Sequence, residues 1–149
     1  MIKKTFLCIL LLTLVACGYE PMLLNKNNLN NIIQSFQLDG DKKINKKIIS
    51  NLNLKKQNKK KGYNLIIKSN KEIETVSRDA TGNTAVYKTK ISVLVTLLNN
   101  DKIFKEKLFN VDFTYNDLEN KFDLSQYQKD IELNLINEIT ENIVVFLSI

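Results

Sequence analysis

From Asn83 to Leu98 the chain alternates, with Ala85, Tyr87, Thr89, Ile91, Val93, Val95 and Leu97 all on one side. A period of two over this length places one face of an extended strand against a core and turns the other towards water. Asn99-Asn100-Asp101 then predicts a compact hairpin loop. Lys102 to Tyr115 returns with Phe109, Val111, Phe113 and Tyr115 at the same period, so the two strands are expected to pair antiparallel. Such a ribbon needs a cover for its apolar face, and the flanking segments have the patterns to provide one.

Upstream, Ile32 to Leu38 is a short β-prone run closed by Asp39-Gly40. Asp41 can cap a helix whose apolar positions Ile44, Ile48, Ile49 and Leu52 recur every three to four residues, with Lys42, Lys43, Lys46 and Lys47 on the other face. The run from Lys55 to Lys61 is expected to end that helix, and Gly62 to turn the chain back into a strand. That strand starts at Tyr63 to Lys71 and continues through Ile73, Thr75 and Val76. At the far end, Tyr127, Ile131, Leu135, Ile139, Ile143 and Leu147 recur every four residues, which predicts a long helix over Leu124 to Leu147 with Ser125 as its cap. The order β-α-β-β-β-α predicts an α+β fold: a four-stranded, mainly antiparallel or mixed sheet with two amphipathic helices packed on one face. Apolar residues at these spacings are assigned to the core.

The amino terminus reads differently. Lys3 and Lys4 precede an apolar run from Phe6 to Val15 that only Thr13 interrupts. This is about half the ~20 residues a membrane-spanning helix needs, but it fits the apolar centre of a secretory signal peptide. The run ends in Leu14-Val15-Ala16-Cys17-Gly18, which resembles a bacterial lipobox, the site where a cysteine is joined to diacylglycerol, freed at its amino side and N-acylated. Residues 1–16 are therefore expected to be a lipoprotein signal peptide, 17–31 a lipidated irregular tether containing the single Pro21, and 32–149 one domain. Cys8 would leave with the signal and Cys17 would carry lipid, so neither would remain as a free thiol for disulfides or catalysis.

Composition narrows the chemistry. With no histidine among 149 residues, imidazole bases, Ser-His and Cys-His pairs and imidazole metal ligands are excluded. The formal charge is +6, but Arg78 is the only arginine among 22 basic residues. Recognition of base edges leans on the arginine fork, so nucleic acid is not an expected partner. Loss of Lys3 and Lys4 would leave 20 basic against 16 acidic residues, a charge of +4.

Three short stretches carry a family resemblance. Cys17-Gly18-Tyr19-Glu20-Pro21-Met22 resembles the opening of LptE, the lipopolysaccharide-assembly lipoprotein, especially in alphaproteobacteria. Arg78-Asp79-Ala80-Thr81-Gly82-Asn83-Thr84 lies between two strands where that family often has an acidic, Thr-containing stretch. Phe113-Thr114-Tyr115-Asn116, before a long terminal helix, is similar to the family's Ser-Tyr-Asn strand ending, with Thr114 in place of the serine. The resemblance implies a non-enzymatic outer-membrane lipoprotein on the periplasmic side that plugs and helps assemble an LptD-type β-barrel and takes part in lipopolysaccharide transport. It implies no cofactor beyond the N-acyl and diacylglycerol lipid at Cys17.

Lysines can bind phosphate as point charges, which makes Lys55, Lys56, Lys59, Lys60, Lys61 and Arg78 candidate lipopolysaccharide contacts. The plainer reading of the lysine run is a solvated loop that aids solubility, and of Arg78 beside Asp79 a turn ion pair. Two other functional classes stay open: a generic periplasmic lipoprotein that binds a small ligand or peptidoglycan, and an enzyme using Asp112 with Asp117 or Glu119 as a carboxylate pair.

Overall fold

The computed structural model describes residues 26–55 and 61–148. Within them lie α1 (Lys26–Ile32), β1 (Ile33–Gly40), α2 (Lys42–Asn51), β2 (Tyr63–Arg78), β3 (Thr84–Asn99), β4 (Lys102–Asn116) and α3 (Lys121–Leu147). The strands lie in the order β1-β2-β3-β4, with β1 parallel to β2 and the other neighbours antiparallel. The sheet is therefore mixed, and the expected α+β arrangement is the one observed.

The alternation of β3 becomes a one-sided core. Thr89, Ile91, Val93, Val95 and Leu97 are all buried. In register beside them stand Leu65 and Ile67 of β2 and Phe109 of β4, which carry the same face across the sheet. Ile44 and Ile48 of α2, with Ile136, Ile139 and Ile143 of α3, close over it. Asn100 and Asp101 both hold left-handed backbone, φ 48° and 61°, which is the two-residue hairpin turn whose twist matches that of the strands it joins.

Parallel neighbours cannot be joined by a tight turn, so α2 serves as the crossover between β1 and β2. Gly40 makes the entry possible. Its φ is +84°, and a Cβ there would lie 1.9 Å from the Ser69 carbonyl oxygen. Asp41 N–H donates to that same oxygen at 3.1 Å, while the Asp41 carboxylate accepts from the N–H groups of Lys43 and Ile44 and caps the helix. The helix stops before the lysine run: Asn53 turns left-handed at φ 54°, and Leu54 N–H reaches back to the Ile49 carbonyl at 3.1 Å. Leu54 is then buried, which anchors the stop.

Two further differences have local causes. The start of α3 is Lys121, capped by the Asn120 side chain accepting from Phe122 N–H at 2.9 Å, so Ser125 lies inside the helix rather than at its cap. The segment expected to be an irregular tether up to Asn31 is helical from Lys26. Leu29, 1% exposed, joins the core, and the Asn30 carboxamide ties α1 to the end of α2 by donating to the Asn53 carbonyl and accepting from Lys55 N–H. Tertiary contact thus recruits a segment too short and too rich in Asn to be helical by itself. The signal peptide, Cys17 and the first part of the tether lie outside the described residues.

Leu29→Ala is expected to destabilise the protein by about 2–5 kcal/mol, as for other fully buried leucines. Urea unfolding checks this, and a loss within a few tenths of that for an exposed residue would mean that Leu29 belongs to a tether after all.

Candidate functional site

The strand β2 sets the scale of the molecule. At about 3.3 Å per residue its sixteen residues separate its two ends by roughly 50 Å. Lys61 precedes its start and Arg78 is its last residue, so these two candidate cations stand at opposite ends and do not share a site. Lys55 and Lys61 are both exposed at the end that also carries α1 and the β3–β4 turn, here called the proximal end. Lys56, Lys59 and Lys60 lie outside the described residues.

Arg78 ends β2 at the distal end, beside the loop that leads into β3. Its guanidinium donates to the Gly82 carbonyl at 2.9 Å. Asp79 accepts instead from the Thr81 hydroxyl at 2.7 Å and from the N–H groups of Thr81 and Asn83. The expected Arg78–Asp79 ion pair is therefore replaced by a loop in which each charge serves the backbone. The Thr81 hydroxyl above all, helped by the Asn83 and Thr81 N–H groups, holds the Asp79 carboxyl below its ordinary value against an opposing desolvation effect.

Beside this loop an aromatic cluster closes the distal end. Tyr87 stacks on Tyr115, which meets Tyr127 edge-on with centroids 5.8 Å apart. The Tyr115 and Thr89 hydroxyls share a hydrogen bond of 3.0 Å. Phe113 was expected in the core from its phase, yet it is 45% exposed. It belongs to the edge strand and flanks a shallow cleft of about 230 Å³ against α3, lined also by Tyr127, Ile131 and Leu135 and rimmed by Asp130 and Glu138.

The sheet face away from α2 and α3 is divided. Its distal half carries cross-strand rows of charge: Glu72, Lys90 and Asp112 in one row, Glu74 and Lys88 in the next. Its proximal half carries Leu94 opposite Leu108 and Leu98 opposite Ile103, around a 2.6 Å bond from the Thr96 hydroxyl to the Glu106 carboxylate. Sequence phase predicts which residues face this side. What it hides is that no third layer among the described residues covers them.

Glu132 was assigned no role from sequence. It is 4% exposed, and its carboxylate meets Lys43 of α2 at 2.8 Å and Lys71 of β2 at 2.7 Å, so one side chain joins both helices to the sheet. Burial pushes its carboxyl up, but the hydrogen bonds and charges of the two lysines outweigh this and hold it below the ordinary value. The other carboxylates weighed as a pair are apart. Asp112 faces Lys88 at 3.8 Å on the open face, and Asp117 beyond the strand end accepts from Lys121 at 2.6 Å. Four residues of extended strand, about 13 Å, separate Asp112 from Asn116, beyond the spacing of paired glycosidase carboxylates. Among the described residues there is no cluster of metal-ligating side chains, and no helix is long and apolar enough to cross a membrane.

The chain matches no protein-family model and no curated protein. Its fold is shared with several solved structures. A candidate lipoprotein of Caulobacter crescentus superposes with a TM-score of 0.58 at 17% identity, over 85% of this chain and 95% of that one. Rare lipoprotein B of Shewanella oneidensis gives 0.54 at 15% identity, over 75% and 95%. A minor lipoprotein of Acinetobacter baumannii gives 0.56 at 14% identity, over 78% and 94%. At these identities the likeness is one of fold.

Because the folded Glu132 carboxyl titrates below its unfolded value, its contribution is present above the ordinary carboxylate range and disappears as pH falls through the folded value. Glu132→Gln is expected to lower stability by about 1–3 kcal/mol at neutral pH and to flatten the acid limb of the stability profile. Urea unfolding of both proteins at neutral and acid pH checks it, and parallel profiles would remove Glu132 as the source.

Proposed function

We propose that this chain is a lipoprotein of LptE type, acylated at Cys17 and held on the periplasmic side of the outer membrane, where it plugs and helps assemble an LptD-type β-barrel during lipopolysaccharide transport. What carries the proposal is one conjunction: the stretch Cys17-Gly18-Tyr19-Glu20-Pro21-Met22 precedes a body whose fold recurs in lipoproteins along most of its length. The stretch and the fold are independent observations, since residues 17–22 lie outside the described residues that set the fold comparison.

The body suits such work without catalysis. A plug inside a barrel meets a polar lumen wall. The distal half of the open sheet face offers opposite charges in rows, with Glu72, Lys90 and Asp112 side by side, which can exchange partners with such a wall at little desolvation cost. Two or more acyl chains attach a protein stably, so the chain needs no spanning segment of its own. A second reading, a generic envelope lipoprotein that binds a small ligand, draws on the cleft beside Phe113 and Tyr127.

Cys17→Ser is expected to abolish incorporation of labelled palmitate and to release the chain from salt-washed membranes. From detergent-solubilised outer membranes the tagged native chain is expected to retain a large β-barrel in fixed stoichiometry. Palmitate incorporation without a retained barrel would sink the plug and leave the generic lipoprotein.

A further inference from the structure

The proximal end of the sheet gathers features that function in the barrel does not require. The strands line up there in one row: Ile33 pairs with Tyr63, Asn64 with Leu98, and Leu98 with Ile103. Ile103, 64% exposed, and Phe104, 46% exposed, project at this row. Phe104 is supported from behind by Tyr63, whose ring centroid lies 5.0 Å away. Lys55, Lys61 and Lys102 are exposed at the same end of the sheet, Lys102 directly before Ile103, together with exposed Asp101 and a Glu106 already engaged by Thr96. Lys105 Nζ lies 6.0 Å from the centre of the Phe104 ring and 5.7 Å from that of Phe146, which keeps a further cation beside the apolar pair.

The same end receives the chain from the anchor. Cys17 stands nine residues before Lys26, a span of at most ~30 Å, and α1 delivers it directly into the row at Ile33. The distal loop is farther by the length of β2, roughly 50 Å. Exposed aromatic and aliphatic side chains at one end with several lysines have the composition that settles at a bilayer interface, the rings at headgroup depth and the ammonium groups among lipid phosphates.

Resting on the acyl attachment at Cys17 proposed above, we propose that Ile103, Phe104, Lys55, Lys61 and Lys102 form a foot that docks the unpartnered lipoprotein on the anionic phospholipid of the leaflet holding its anchor. The foot gives the anchored domain a defined orientation. It lays the proximal end on the headgroups and points the Arg78 loop and the distal aromatic cluster away from the membrane.

The absence of tryptophan allows a direct test. The lipidated full chain carrying Phe104→Trp, and a control carrying Phe122→Trp at the 77% exposed distal position, are reconstituted in vesicles of phosphatidylethanolamine with phosphatidylglycerol, or of phosphatidylcholine alone. Flotation in high salt reports the acyl anchor, and quenching by brominated lipid reports the foot. In phosphatidylglycerol vesicles the indole at position 104 is expected to shift to the blue and be quenched, while the indole at position 122 is not. A lysine near an anionic surface raises partitioning about fivefold, so Lys55→Glu, Lys61→Glu and Lys102→Glu together are expected to return quenching to the phosphatidylcholine level.

Failure to float overturns the attachment and the foot with it. Flotation with equal quenching at 104 and 122 overturns the foot alone. Quenching that needs lipopolysaccharide added to neutral vesicles, or burial of the indole only when an outer-membrane barrel is co-reconstituted, would assign this edge to another partner and also overturn the proposal.

Discussion

Thr89 to Leu97 can be kept from water on one face only if something lies along the whole length of that face, and the rest of the fold follows from this demand. β2 and β4 extend the apolar face sideways, and α2 and α3 close it from above. Because α2 is a short crossover and α3 a long terminal helix, they come from distant parts of the chain and need a common point of reference. Glu132 provides one, since Lys43 and Lys71 reach its carboxylate from α2 and from β2. A buried carboxylate with a partner on each side tolerates no slippage between these layers, because any shift leaves a charge unpaired away from water.

One-sided cover also determines the polarity of the molecule. A sheet about 50 Å long with helices on a single face presents an open face, two edges and two ends, each with its own chemistry. The proximal end holds α1, exposed Ile103 and Phe104, and lysines. The distal end holds a self-satisfied loop and tyrosines. Between them the open face passes from apolar to charged. Under the acyl attachment proposed at Cys17 the two ends become unequal, because the proximal one is then held near a bilayer and the distal one points away from it.

Much of this was legible in the residues. Period two in β3 and β4, period near four in α3, the Asp41 cap and the Asn100-Asp101 turn are local properties, and local stereochemistry writes them directly into the chain. The candidate cations were less legible. Lys61 and Arg78 are close in sequence but lie at opposite ends of an extended strand, and the partner expected for Arg78, Asp79, is taken by Thr81 and Asn83. Phe104 carried no such signal, because the register shift between Leu97 and Leu98 leaves it unpaired opposite β3 and breaks the period that runs through Phe109, Val111 and Phe113.

The chain by itself determined the number and order of strands, the two covering helices and a sheet with one apolar face, since each follows from how residues two, three or four apart share a surface. Only the tertiary structure decided that β1 runs parallel to β2, that Leu29 draws α1 into the core, that Asn120 rather than Ser125 caps α3, and that Glu132 finds two lysines. It alone brought Phe104 of β4 against Tyr63 of β2, at the end where Lys61 is exposed. These depend on contacts between residues far apart in the chain, where the geometry of the packed layers, and no local period, selects the partner.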